Sequence, residues 1–246
     1  MRWKTHHGLP YTGLSPCFIY RLIDSTVISR IFTYRPPAAE LDIIFQDDAY
    51  IAINKPSGLL SNPGRDPLTH DCALTRLQAR FAQIHLVHRL DCDTSGVLVF
   101  AKTKAAESAL KKQLQYREVL KTYEALVWGL LADPEGLIDW AIGPNPDDRP
   151  LQRIDSAGKS ALTEYRLIQA NAEQHWSRLS LAPKTGRTHQ LRVHLNALGH
   201  PILGDAFYAH PDALAMRPRL CLHALTFSFL HFATGHRLTL TAPIDF

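Results

Sequence analysis

Five stretches of the chain carry residue types that do chemistry. His88-Arg89-Leu90-Asp91 opens a loop that closes on Thr94-Ser95-Gly96 and runs into the apolar segment Val97–Ala101. Asp91 can act as nucleophile, general base or metal ligand, or simply cap a turn. Tyr123 offers an aromatic face and a hydroxyl. Arg187 stands just before a helix start, a place suited to anions. Lys55, in the Pro/Gly loop Asn54–Leu60, either meets a phosphate or is a solvated loop lysine. The fifth stretch is Leu222-His223-Ala224.

Familiar signatures are missing. The chain has no G-x-x-x-x-G-K-[ST] phosphate loop, no G-x-G-x-x-G fingerprint and no G-x-S-x-G elbow. Nucleotide hydrolysis, hydride transfer and serine esterase chemistry therefore lose support. Cys17, Cys72, Cys92 and Cys221 form no C-x-x-C pair and suit a reducing compartment better than a disulfide framework. Cys92 as a nucleophile would lack an orienting base other than His88. His189 and His194 are five apart, off the i, i+4 spacing of a helical metal pair, and one of them reads as a structural histidine. Asp91 and Asp93 could share a cation, as a metal-dependent nuclease would require, but no third ligand accompanies them. What remains is an enzyme needing neither metal nor cofactor, working with a carboxylate, an arginine and a tyrosine. The residues alone do not name its reaction.

Such residues need elements to hold them. Ile43–Phe45 and Ala49–Ile53 read as a hairpin across the polar break Gln46-Asp47-Asp48. Asp71 is expected to cap a helix bearing Leu74, Leu77 and Phe81. A second helix starts at Thr103 with the stripe Ala106, Leu110, Leu114, and Lys121–Gly129 reads as a strand. Residues 133–160, rich in Pro, Asp and Gly, read as loop. Leu162–Leu167 pairs with Trp176–Leu181, and Thr188 is the expected N-cap of a helix striped by Leu191, Leu195 and Leu198. A last hairpin joins Leu220–Phe229 to Leu238–Ala242. Strands outnumber helices and the connections are hairpin-like, which favours α+β with a largely antiparallel sheet.

The 246 residues are 46% apolar and 20% charged with net charge +4, an ordinary balance for a soluble globular protein. Mild basicity permits a polyanionic partner without demanding one. Residues 1–38 differ from the rest: Arg2, Lys4, Arg21, Arg30 and Arg35 face a single acid, Asp24, before the extended linker Tyr34-Arg35-Pro36-Pro37. They read as a basic extension, either an arm touching nucleic acid or an appendage. Charges at Arg21, Asp24 and Arg30 break the one apolar stretch near the N-terminus, so no membrane span or secretory signal is expected and the protein reads as cytoplasmic.

Taken together, the motifs carry a resemblance. His88-Arg89-Leu90-Asp91 with Thr94-Ser95-Gly96 resembles the H-R-L-D-x-x-T-S-G signature of the RluA-type pseudouridine synthases. Asn54-Lys55-Pro56-Ser57-Gly58 is similar to the family's N-K-P-x-G, and Lys121-Thr122-Tyr123 to its K-x-Y. Thr185–His194 resembles T-G-R-x-H-Q-[IL]-R-x-H, followed by Gly199-His200-Pro201-Ile202-Leu203-Gly204-Asp205 and by Leu222-His223-Ala224. The motifs stand in the family's order from about residue 42 to the end of the chain.

The resemblance implies a pseudouridine synthase fold over residues 39–246, with a central, mainly antiparallel mixed sheet, flanking helices and a cleft. It implies that Asp91 attacks the target uridine, that Tyr123 stacks on the base and aids proton transfer at C5, and that Arg187 pairs with the aspartate. Arg89 would fill the place of the flipped base. Leu222 would wall the pocket, with Lys55 and Thr94 also on the substrate side. An arginine beside Asp91 favours the ionised carboxylate a nucleophile needs. No cofactor is implied. Residues 1–38 do not resemble the S4-type RNA-binding module of many relatives. This absence, with Leu60–Gly64 and the helix start Thr103–Glu107, is most similar to the branch that modifies both large-subunit rRNA and the tRNA anticodon loop. A tRNA-only branch and a catalytically silent RNA-binding module are the alternatives. The partner is RNA, and a monomer is expected.

Overall fold

The structure is a computed structural model that describes residues 18–23, 27–32, 34–148 and 150–246, the first two stretches by backbone alone. Strands β1 (Phe18–Ile23) and β2 (Val27–Phe32) pair antiparallel as a separate ribbon. The remainder of residues 1–33, and with it the basic-arm reading, lies outside the described residues. The linker at Tyr34 is pinned rather than loose. Tyr34 Oη donates to the Asp71 carbonyl at 2.6 Å and accepts the Leu60 N–H at 3.0 Å, while Arg76 donates to the Pro37 and Ala39 carbonyls.

Strands β3 (Asp42–Gln46) and β4 (Tyr50–Lys55) form the expected hairpin, its turn closed by the Asp47 carboxylate accepting the Ala49 and Tyr50 N–H groups. Helix α1 (Ala73–Gln78) is shorter than its apolar pattern suggests. Its N-cap is Cys72, boxed with Thr75, because Arg76 draws the Asp71 carboxylate away from the helix start. Strands β5 (His85–Leu86) and β6 (Ser95–Ala101) flank the Asp91 loop. Helix α2 (Lys104–Gln115) begins as expected, with Thr103 Oγ1 accepting the Ala106 N–H at 3.1 Å.

Strand β7 (Leu120–Trp128) precedes three short strands, β8 (Glu135–Asp139), β9 (Ile142–Pro144) and β10 (Gln152–Ile154), in the stretch read as loop. They are recruited by pairing, β8 to β11 (Leu162–Asn171) and β9 to β10, not by apolar runs of their own. Strand β12 (Trp176–Pro183), helices α3 (Gln190–Ala197) and α4 (Pro211–Ala215), and strands β13 (Leu222–Leu230) and β14 (Arg237–Thr241) complete the chain.

The large sheet runs β3-β4-β6-β13-β7-β12-β11-β8, with β14 on β13 and β5 on β6. Its pairings are antiparallel except β6 with β13. The α+β expectation therefore holds. Strand β6 is buried throughout because both its faces are covered. Val97 and Val99 pack toward Ala106 and Leu110 of α2, and Leu98 and Phe100 toward Ala73 and Leu77 of α1. In the other half of the sheet, Ala125, Val127, Leu179 and Leu181 pack with Leu191 and Leu195 of α3.

The parallel β6–β13 contact brings two distant motifs together. Ser95 stands opposite His223 and Gly96 opposite Ala224, and Ser95 Oγ meets His223 Nδ1 at 2.9 Å. Gly96 has φ 109°, and a Cβ there would lie 2.3 Å from the Ala224 carbonyl oxygen. Only glycine allows the strands to approach this closely at that dihedral.

Candidate active site

The loop bearing Asp91 is held from below by backbone hydrogen bonds. Lys55 Nζ donates to the carbonyls of Pro56, Leu59 and Cys92 at 2.9, 2.7 and 2.8 Å. Ser57 Oγ donates to the Asp93 carbonyl, and the Gly58 N–H to the Cys92 carbonyl. Ser61 Oγ donates to the Leu90 carbonyl and accepts the Leu90 N–H. Lys55 is thus fully buried and faces no solvent. The expectation that it meets a phosphate is corrected, as is its reading as a solvated lysine: its donors tie its own loop, through Pro56 and Leu59, to the loop that carries Asp91, through Cys92. The Thr94 N–H closes that loop onto the Asp91 carbonyl at 3.2 Å.

Asp91 opens on a cleft of about 940 Å³. Arg89, Thr94, Tyr123, Arg187 and Leu222, from the sequence reading, also line it. Arg89 is exposed, whereas Thr94 and Leu222 are buried in the wall. Tyr123 reaches the cleft from β7. Burial, with the Asp91 charge adding to it, holds its hydroxyl well above the usual phenol range, so it keeps its proton. His88, beside the loop, accepts the Val99 N–H at 3.1 Å and stacks on Phe227 with centroids 4.5 Å apart. Burial, helped by nearby Lys121, pushes its pKa down to about 3. Asp93 is buried and does not line the cleft, and among the described residues no group of three His, Cys, Asp or Glu could hold a metal ion.

The pairing of Arg187 with Asp91 is corrected. Arg187 Nε donates to the Ser160 carbonyl at 2.9 Å, and the side chain sits at the cleft's rim. The arginine that faces the aspartate is Arg192 on α3, with Nη1 4.0 Å from Asp91 Oδ2. Arg192 is 2% exposed and is gripped by Asp205, Nε to Oδ2 at 2.8 Å and Nη2 to Oδ1 at 2.6 Å. Its guanidinium lies over the rings of Phe207 and Tyr208, 4.6 and 5.3 Å from their centroids. Burial alone would pull its pKa down, but Asp205 and Asp91 together raise it, so the cation is permanent. Asp205 is itself held by the N–H groups of Phe207 and Tyr208. Gly204, at φ 72°, permits the turn before it, since a Cβ there would lie 1.9 Å from the Arg219 carbonyl oxygen.

The turn before α3 also differs from expectation. Its N-cap is His189, in the left-handed region at φ 55°, rather than Thr188. Gln190 causes this. Its amide accepts the Arg187 N–H and the Thr185 hydroxyl and donates to Leu162 O and Thr163 Oγ1, which folds the turn around a buried side chain. The sequence reading gave no role to Arg192 or Asp205, and weighed His189 only with His194, as a metal pair or a structural histidine. One signal was available: an arginine set within the apolar run of Leu191, Val193 and Leu195 must be buried, and a buried arginine needs a carboxylate.

A permanent cation, a carboxylate and a protonated phenol in one basic-rimmed cleft suit a reaction in which an aspartate adds to an electron-poor centre. The model of the RNA pseudouridylate synthase family matches residues 49–197. A protein of Escherichia coli named dual-specificity RNA pseudouridine synthase RluA is 50% identical over 215 residues, 87% of this chain and 98% of that protein. The one of Haemophilus influenzae with that name is 46% identical over 218 residues, 88% of this chain and 99% of its own. The solved structure of human RNA pseudouridylate synthase domain containing 1 superposes with a TM-score of 0.72 at 29% identity, covering 85% of this chain and 86% of that one. Since the family match covers the Asp91 loop, β7 and α3, and these relatives match nearly end to end, the chain belongs to the RNA pseudouridylate synthase family.

Proposed function

We propose that this enzyme isomerises uridine to pseudouridine in stem-loops of large-subunit rRNA and in the tRNA anticodon loop, with Asp91 attacking a uridine turned out of its stack. One observation carries the reading: Asp91, Tyr123 and Arg192 line a single cleft, with Arg192 anchored 4.0 Å from the carboxylate. The dual substrate range is supported by the names of relatives that are 46% and 50% identical over almost their whole length.

Turning out the uridine costs a few kcal/mol. Arg89, exposed at the mouth, is suited to stack and hydrogen-bond in the vacated space. Arg187 and Arg117 on the rim meet the phosphates. The base then lies against Tyr123, with Thr94 and Leu222 as walls. Overall the C1′–N1 bond is exchanged for C1′–C5, the C5 proton leaves, and N1 gains one. The fixed positive charge of Arg192 steadies the Asp91 carboxylate, and protonated Tyr123 accompanies the proton step at C5. The proposal takes residues 39–246 as the catalytic unit, acting as a cytoplasmic monomer, and residues 1–38 as an extension to it. Among the described residues no helix is long and apolar enough to cross a membrane.

Tritium release from RNA labelled at uridine C5 tests this. The wild type should release tritium from both a tRNA and an rRNA stem-loop transcript, and Asp91→Asn from neither. Release from tRNA alone would establish the narrower substrate range. Equal release by Asp91→Asn would remove Asp91 from the reaction.

A further inference from the structure

Two histidines belong to α3, His189 as its N-cap and His194 within it, and their environments differ. His194 is fully buried and both ring nitrogens are engaged, Nδ1 with Thr163 Oγ1 at 3.0 Å and Nε2 with the Trp140 carbonyl at 2.9 Å. That is a structural histidine. His189 has only one engaged nitrogen, Nδ1, 2.7 Å from Tyr208 Oη. Its Nε2 meets no protein group. It is also not sealed in, because among the described residues the one buried side-chain nitrogen or oxygen without a partner is His85 Nε2. His189 is 8% exposed, and the opening it faces is the cleft it lines together with Asp91, Tyr123 and Arg192.

The anchor decides which nitrogen carries the hydrogen. Tyr208 Oη accepts the Gln152 N–H at 3.0 Å, and the one acceptor within reach of its own proton among the described residues is His189 Nδ1, which assigns that proton to the Tyr208–His189 bond. Nε2 is then an N–H donor aimed at the cleft. Burial holds the ring below the usual histidine range, and Arg192 beside it acts in the same sense against the pull of Asp91, so the donor is neutral. The backbone is held in the left-handed region to place it there, and such strain gathers where a side chain must be aimed.

We propose that His189 Nε2–H donates a hydrogen bond to a carbonyl oxygen of the flipped-out uracil and strengthens that bond as the reaction proceeds. This rests on the isomerase reading above. If Asp91 attacks C1′, the C1′–N1 bond breaks and its electron pair stays on uracil, spread over N1 and the two carbonyls. If Asp91 attacks the ring, the pair moves onto a carbonyl as an enolate. In both routes C5 then bonds to C1′, the bond to Asp91 breaks with its electron pair returning to the carboxylate, the C5 proton leaves and N1 is protonated. A preorganised N–H donor at that oxygen stabilises charge present only in the transition state and intermediate. A phosphate is the wrong ligand for a neutral imidazole on the cleft wall, since the rim already supplies Arg89, Arg117 and Arg187.

Two substitutions separate this from a purely structural role. The amide of His189→Gln reaches the position of Nε2. The amide of His189→Asn reaches only Nδ1, keeps the Tyr208 partner, and suits the left-handed backbone. Single-turnover isomerisation at saturating enzyme should fall about 100-fold in His189→Asn, as for loss of one oxyanion donor, with RNA affinity unchanged. His189→Gln should retain most of the rate. A structural role predicts the reverse order, and that order would overturn the proposal. So would a loss confined to RNA affinity, which would mark a phosphate contact. Wild-type enzyme with 2-thiouridine or 4-thiouridine at the target supplies a test free of folding effects. One of the two, with its poor sulfur acceptor, should slow the wild type and leave His189→Asn indifferent. If neither slows an otherwise active wild type, His189 does not touch the base.

Discussion

Arg187 and Arg192 stand five residues apart in one motif and do different work. Arg187 is bonded to the Ser160 carbonyl at the rim, and Arg192 is locked to Asp205 within reach of Asp91. Arg187→Ala should therefore leave the turnover rate near wild type while reducing the salt slope of RNA binding by about 0.7, the value for one single-strand phosphate contact. A collapse in rate like that of Asp91→Asn would return Arg187 to the aspartate. Lys55 reverses the logic. Its ammonium serves three carbonyls. Lys55→Met should leave the salt slope unchanged and lower stability by roughly 3 kcal/mol in urea denaturation, because buried carbonyls lose a charged donor. Both residues look alike in sequence, as basic positions in Gly-containing loops. Depth separates them, and depth is set by which strands close over the loop.

The Asp91 loop is legible as a loop because the strand after it is a continuous apolar run, but its seating against β13 is not. That seating depends on residues 128 positions apart in sequence, Ser95 and His223, in the parallel pairing that β6 makes. Hairpins from adjacent segments, β3–β4, β11–β12 and β13–β14, were readable because short connections leave few alternatives. Strands β8, β9 and β10 were not, since β8 forms on the edge that β11 supplies and the three-residue strands β9 and β10 exist only by pairing with each other. The cap of α3 moved from Thr188 to His189 because Gln190 pulls the turn inward, a tertiary demand that outranks cap preference. The tightest inter-strand contact gives the clearest element-level test. Gly96→Ala would drive a methyl to 2.3 Å from the Ala224 carbonyl oxygen. It should cost more than about 3 kcal/mol, well above the ordinary left-handed penalty of about 1. Gly235→Ala, at φ 69° with nothing within 4 Å, should cost only that penalty. Equal midpoints in denaturation for the two variants would mean that β6 and β13 can separate without loss.

Among the described residues, four histidines are kept neutral by burial. They are His88 in the Asp91 loop, His189 and His194 at α3, and His223 on β13, and burial is the leading cause of the lowered pKa in each. In the unfolded chain each titrates near 6.5. Below that pH the unfolded state binds protons the folded state refuses, so stability falls as pH falls; for His88 this window runs from about 6.5 down to about 3. Buried Asp93 has the opposite sign: burial raises its pKa, so it takes up a proton more readily folded than unfolded and offsets part of the loss. His88, with its pKa near 3, should cost roughly 1 kcal/mol between pH 7.0 and 5.5, and the other three histidines add to the loss in the same direction. The four sit at three places, the Asp91 loop, α3 and β13, so no single local opening relieves them together. Urea midpoints at the two pH values measure the effect. His88→Gln, whose amide oxygen can accept the Val99 N–H that the ring accepts now, should recover about one histidine's share of the loss. A midpoint that does not move between pH 7.0 and 5.5 would mean that these rings are protonated without unfolding, and that the neutral His189 required at the cleft is not held neutral by the fold.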